Sequence, residues 1–236
     1  MNKLVDKIKE ISKTPRGKGL LFFAFYLVFF AIVFLFINLT DSTLTYGDDY
    51  EKSYSSYTIN LEKVVSNNYA FKYNVTVDNN TYSYLGAKKD EIESINYNNF
   101  DYYRNDKDFL VKNGDVWITT DSPYVYEEFF DTLNIKKIIE NSYYVSKTVY
   151  ENGTNAFNFI ISSNTLNSIL YNISTDYDEV PNEIIINTDE EKNVNKITFN
   201  LDSFCRNNKV CNYGLKINLE YDMFGEVEGI VNPMDN

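Results

Sequence analysis

Residues 69–85, YAFKYNVTVDNNTYSYL, decide the fold. Tyr69, Phe71, Tyr73, Val75 and Val77 alternate with Ala70, Lys72, Asn74 and Thr76, the period of two of a strand with one buried face. Asp78-Asn79-Asn80 has turn chemistry, and Thr81–Leu85 resumes an extended pattern that stops at Gly86. Working outward, short strands are expected at 92–97, 100–104, 108–112 and 115–119, the last pair closed by Asn113-Gly114. Connections this short leave no room for a crossover helix, so neighbours must be antiparallel.

The pattern changes at Asp121-Ser122-Pro123, where a capping residue precedes a proline suited to a first helical turn. A helix is predicted over 124–140, with Glu127, Glu128 and Asp131 early and Lys136 and Lys137 late, as the helix dipole favours. Strands follow at 143–150 and 155–161, joined through Asn152-Gly153, then a short helix at 164–172 with Leu166, Ile169 and Leu170 on one face. Four more strands are expected near 183–187, 194–201, 213–221 and 226–231. Upstream of Tyr69, the residues Ile59, Leu61, Val64 and Val65 suit a short amphipathic helix. The class is α+β: ten to twelve antiparallel strands in a meander, interrupted by two or three helices. Too few helices cover so large a sheet for it to lie flat, and it is expected to curl into a half-barrel with the helices closing its mouth.

Ahead of this body stands GLLFFAFYLVFFAIVFLFI, residues 19–37, uncharged between Lys18 and Asp41. At about 1.5 Å rise per residue, such a run crosses a hydrocarbon core of about 30 Å. Residues 1–18 carry six basic side chains against Asp6 and Glu10, while the whole chain of 236 residues is at −12. Basic flanks stay on the cytoplasmic side. The expectation is a signal-anchor helix at 19–38, a cytoplasmic tail at 1–18, a polar stalk at 39–55 and an extracytoplasmic β-rich domain at 56–236. A cleaved signal peptide has a shorter apolar core and small residues at its cleavage site, whereas Asn38-Leu39-Thr40-Asp41 follows here. In the tail, Leu4, Val5, Ile8 and Ile11 fall at helical spacing, open to reading as an amphipathic surface helix or as a frayed basic segment.

Composition narrows the function classes. Tyr (21) and Phe (17) are abundant, as pleated strands favour, and the wealth of Asn, Lys and Ile resembles the coding of an AT-rich bacterial genome. An acidic exterior domain is a poor partner for nucleic acid. With no histidine in the chain, Ser-His and Cys-His nucleophile pairs and ordinary zinc sites are excluded, so no catalytic residue, metal or cofactor is expected. Asp48-Asp49, Asp189-Glu190-Glu191 and Glu226/Glu228 read as solvent-facing charge. Cys205 and Cys211 bracket a polar stretch able to turn between two strands, and an exterior compartment favours a disulfide across that hairpin over free thiols.

In the order of its elements over about 56–233, the domain resembles the LolA-type lipoprotein carriers and the LppX-type lipid-binding lipoproteins. The features that carry the resemblance are a leading helix before the Tyr69–Val77 strand, the break through Ser122–Glu140, a helix near 164–172 and a final run of strands. The resemblance implies a curved half-barrel that holds acyl chains behind its helices. The chain departs from those families in its anchor: a spanning helix stands where they have a lipidated cysteine or a free mature N-terminus, which does not suit a shuttle between membranes.

The function expected is a single-pass, membrane-anchored, non-catalytic binding protein holding a hydrophobic or lipid ligand. Its candidate lining comprises Phe71, Tyr73, Tyr82, Tyr84, Phe157 and Phe159, each of which also reads as an ordinary core residue. The alternative is an interaction ectodomain serving an envelope protein through exposed Tyr side chains and Trp117.

Overall fold

The computed structural model describes residues 59–105, 108–175 and 180–234, with 14–16, 18, 22–23, 26–27 and 29–30 nearer the N-terminus. The chain divides into two compact units, residues 1–49 and 50–236. In the first, Phe22, Phe23, Tyr26, Leu27, Phe29 and Phe30 are helical and exposed. Among the described residues no helix is long and apolar enough to cross a membrane. Most of the apolar run 19–38, the tail residues 1–13 and the whole stalk lie outside the described residues.

The second unit is built on one curved, open antiparallel sheet. Its elements are α1 (Glu62–Val65), β1 (Asn68–Val77), β2 (Asn80–Lys89), β3 (Ile92–Tyr97), β4 (Phe100–Arg104), β5 (Phe109–Asn113) and β6 (Val116–Thr120). A 3-10 turn (Glu127–Phe129) and α2 (Thr132–Glu140) follow. Then come β7 (Tyr143–Val149), β8 (Asn155–Ile161), α3 (Ser163–Tyr171), β9 (Asn182–Thr188), β10 (Val194–Asn200), α4 (Asp202–Asn207) and β11 (Leu215–Asp222). The strand order is β6-β5-β4-β3-β2-β1-β11-β10-β9-β8-β7. Two meanders therefore meet at β1 and β11, whose register runs from Ala70↔Asp222 to Val77↔Leu215.

Asparagine and aspartate make several of the turns. Their short polar side chains tolerate the left-handed backbone region, and Asp78, Asp90, Asn98, Asn99 and Asn172 all have φ between 50° and 57° or, at Asn99, 65°. One face of the sheet, the inner face, carries the core. A single row crosses it through Phe157, Ile186, Ile197, Leu219, Tyr73, Tyr84, Tyr97 and Phe100. Onto the middle of this face pack Ile135, Ile138 and Ile139 of α2, Leu166 of α3 and Phe204 of α4.

Several boundaries differ from expectation for local reasons. The helix expected over 124–140 begins only at Thr132, because the Asp131 carboxylate accepts the N–H groups of Leu133 and Asn134 and caps it there. Residues 121–131 instead form a strap across the inner face. β2 runs on through Gly86 to Lys89. The leading helix is a single turn, preceded by a parallel bridge between Asn60 and Asn193. Cys205 and Cys211 do form a disulfide, with Cα atoms 5.4 Å apart. It ties α4 to the loop after it, and no hairpin lies between them. The strand expected at 226–231 is absent, since both neighbours of β11 are already taken. That segment is held instead at the start of β1 by Gly225 and Val227 N–H groups donating to Asn68.

Two features of the fold predict measurable effects. A Cβ at Gly86 would lie 2.6 Å from the Phe71 ring and collide with the Ser94 carbonyl. Gly86→Ala should therefore cost about 1–3 kcal/mol in urea denaturation, as overpacking does. At the β1–β2 turn, the N–H groups of Asn212, Tyr213 and Gly214 converge on the Asp78 carboxylate at 2.7–3.3 Å. They hold its pKa below the ordinary value of 3.8. Because the folded pKa is the lower one, this stabilisation is complete above the unfolded value and fades as acid protonates the group. Asp78→Asn should lower Tm at pH 7, with the gap to wild type closing below about pH 4.

Candidate ligand-binding face

Side chains of the inner face run outward from the core without interruption. From Phe71 and Gly86, cross-strand neighbours lead through Ile95, Tyr102 and Val111 to Ile118 on the edge strand β6. Ile95 is buried, Tyr102 and Val111 are half-buried, and Ile118 is 45% exposed. Phe100 and Val116 on the same face are more exposed still. The β4–β6 end of the inner face thus presents apolar side chains to the outside, whereas the β1–β2 and β8–β11 strands are covered.

One row on this face is ionic. Lys88, Glu93 and Arg104 are cross-strand neighbours on β2, β3 and β4. Lys88 Nζ lies 3.1 Å from Glu93 Oε1, and Arg104 lies 3.7 Å from Glu93 Oε2 and 3.1 Å from Glu127 Oε1. The Tyr124 hydroxyl donates to Glu93 Oε2 at 3.2 Å, and the Arg104 guanidinium lies 4.9 Å from the Phe109 ring centre. Glu93 is only 6% exposed. A buried carboxylate is tolerated where donors surround it, and here two cations and a phenol do so. Removing one partner of such a cluster is costlier than the cluster itself is stabilising.

The strap forms the roof of this row. Tyr84 fastens it, its hydroxyl donating to the Pro123 carbonyl at 3.0 Å and accepting from the Val125 N–H at 3.1 Å. Burial pushes the Tyr84 and Tyr124 hydroxyls above the ordinary tyrosine range, and at Tyr124 the Glu93 carboxylate pushes the same way. Both phenols are therefore neutral donors at any physiological pH. Between roof and sheet lies a cleft of about 300 Å³ bordered by the ionic row, Tyr124, Glu127 and Phe130.

Of the six aromatic residues proposed from sequence as a lining, five are buried in the core: Phe71, Tyr73, Tyr84, Phe157 and Phe159. They pack on one another and on the strap. Phe71 stacks on Tyr73 at 4.3 Å, Tyr73 on Phe130 at 4.8 Å, and Tyr84 on Tyr97 at 4.7 Å. Tyr82 is half-buried at the margin. Phe71 alone of the six also borders a hollow, a shallow trough of about 750 Å³ that opens where β10 and β11 part beyond the Lys196↔Glu220 pair. The surface that stays accessible is one strand-pair further out, at Phe100, Val116 and Ile118, with Trp117 half-buried between them in sequence. Alternation in 100–104 and 116–118 marks these residues as strand faces, but only the tertiary structure shows which of them stay exposed. Among the described residues no group of three or more Cys, Asp or Glu side chains is placed to hold a metal ion.

The sequence matches no protein-family profile and no curated protein. The chain path is similar to that of two solved mycobacterial proteins. One is the Mycobacterium tuberculosis lipoprotein LppX, at 12% identity and a TM-score of 0.42, over 72% of this chain and 93% of that one. The other is LprF from Mycobacterium bovis, at 11% identity and a TM-score of 0.46, over 72% of this chain and 92% of that one.

Glu93→Ala would strand Lys88 beneath the strap and leave Arg104 with Glu127 alone. The expected loss is about 3 kcal/mol, the low end for breaking a buried pair because Arg104 is one-third exposed. Urea denaturation of Glu93→Ala, Lys88→Met and the double variant measures it. The double variant should lose less than the two single losses combined.

Proposed function

We propose that this chain is a membrane-anchored, extracytoplasmic binding protein without catalytic activity, which holds a hydrophobic or lipid ligand on the open end of its inner face. The observation that carries this reading is the continuity of apolar side chains from the core to the exposed Phe100, Val116 and Ile118. Scattered apolar residues are ordinary on a protein surface, but a connected row at the end of a core face resembles the concave, mostly apolar sites that take small molecules. The ionic row beside it supplies the few polar groups that such sites use to orient a ligand. The anchor is supported by residues 19–37, whose length and lack of charge fit a membrane span, and the orientation by the basic flank before them.

A second reading has its own support. β6 is an edge strand whose Val116 and Ile118 are exposed, and an unpaired edge of this kind can accept a strand from another protein. Native mass spectrometry of the 50–236 unit, purified without detergent, separates the two. A lipid or other apolar mass that is lost on denaturation, and absent from Ile118→Asp, is expected. A clean unliganded mass in repeated preparations overturns the lipid reading, and a co-purifying polypeptide would favour the edge-strand one.

A further inference from the structure

The β6 edge of the sheet is left open in a way that the opposite edge is not. Asn113↔Val116 closes the β5–β6 hairpin across a two-residue turn, and a pair in that position exchanges both backbone hydrogen bonds. Successive residues then face alternate sides. Val116, Ile118 and Thr120 bond to β5, while the N–H and C=O groups of Trp117 and Thr119 point away from it. Among the described residues no strand lies beyond β6 to take them. Folded proteins blunt such edges with bulges, prolines and lysines. At the other edge, the register of β7 shifts between Tyr144 and Ser146, as at a bulge, and the strand carries Lys147. β6, VWITT, has none of these devices. Of the eleven strands only β6 and β8 contain no charged residue, and β8 is paired on both sides.

We propose that β6 is the contact between two copies of this chain, paired antiparallel about a two-fold axis at Ile118. The occupant follows from the match of the strand with itself. This register sets Trp117 of one copy against Thr119 of the other, so every outward N–H and C=O group at both positions is taken. Ile118 meets Ile118 and Val116 meets Thr120 on the inner face, while Trp117 meets Thr119 on the other. All are β-branched or aromatic, the residues that pair best across strands. In a chain at −12, two copies repel each other least where neither strand is charged. Asp115 and Asp121 flank the strand and stand level across the axis, so raising salt strengthens the association. Five residues a side is a small contact beside the about 20–30 of a stable complex. It suits chains confined to one membrane, where the effective concentration is high. That step rests on the anchor proposed above. The pairing itself rests on the edge-strand reading and on no ligand.

Oxidative cross-linking of the full chain in the membranes of an expressing cell tests the register. Cys205 and Cys211 are joined to each other, so an introduced cysteine is the free thiol. Residues level with each other in a non-hydrogen-bonded pair have Cα atoms about 4.5 Å apart, within reach of a disulfide. Ile118→Cys should therefore dimerise at least about tenfold faster than Val116→Cys or Thr120→Cys alone. Val116→Cys and Thr120→Cys expressed together should cross-link at a rate comparable to that of Ile118→Cys. Thr119→Pro removes an outward N–H that β5 does not use, a change that an edge strand tolerates. It should keep the Tm and abolish the cross-linking of Ile118→Cys. The proposal is overturned if the three single variants cross-link at one rate, if Thr119→Pro has no effect, or if Ile118→Cys stays monomeric. Capture of a different polypeptide by Ile118→Cys would keep the edge contact and overturn the second copy. A monomer that still carries an apolar adduct in native mass spectrometry removes the dimer and leaves the binding face standing. A register-specific dimer with no adduct does the reverse.

Discussion

The pairing of β1 with β11 is the constraint on which the rest of the domain depends. Its eight residue pairs, from Ala70↔Asp222 to Val77↔Leu215, join chain segments more than 130 residues apart. Closing so long a loop costs chain entropy before any contact is made. The offset comes from what the pairing aligns: Phe71, Tyr73 and Val75 come to stand beside Tyr221, Leu219 and Ile217, all buried. Without it the two meanders would each be a sheet with one bare face. With it, α2 and α4 share one core, reached by Phe129, which packs against Phe199 and Phe204 at 5.6 and 5.8 Å.

The joined sheet has more inner face than its helices cover, and its middle and its β6 end are treated differently. Near β1 and β2 the strap 121–131 is clamped down by Tyr84 and Tyr124, and beneath it an ionic row is buried beside the aromatic core. Further along, on β4 to β6, Phe100, Val116 and Ile118 stay exposed. In the binding function we propose, burial on the apolar floor would supply most of the affinity and a few fixed polar groups would set the orientation. The buried ionic row suits such a task better than it suits stability, since well-packed apolar groups at Lys88, Glu93 and Arg104 would serve the core as well.

Much of the architecture was legible along the chain. Alternation in 69–77, 92–97, 155–161 and 215–221 located strands because a half-buried strand has to repeat every second residue. Asn-Gly and Asn-Asn pairs located turns because few other residues accept a left-handed backbone cheaply. Where the reading failed, a local pattern had two solutions. The helix at 202–207 lies in a stretch whose cysteines equally suited a hairpin, and 226–231 alternates like a strand but follows β11, both of whose sides are already paired. The site was less legible still. Phe71, Tyr73, Tyr84, Phe157 and Phe159 look the same in sequence whether they line a cavity or fill a core, and here they fill it. Glu93 gave no sign of being buried, because its neighbours Ile92 and Ile95 fall on opposite faces of β3.

By itself, then, the amino-acid sequence determined the apolar segment, the period of most strands, the acidic balance and the lack of histidine, all of which follow from single residues or short spacings. Tertiary structure alone decided which strands are neighbours, which aromatic residues are covered and which charges meet. Those depend on contacts between distant segments, and no periodicity within a strand records which strand will lie beside it.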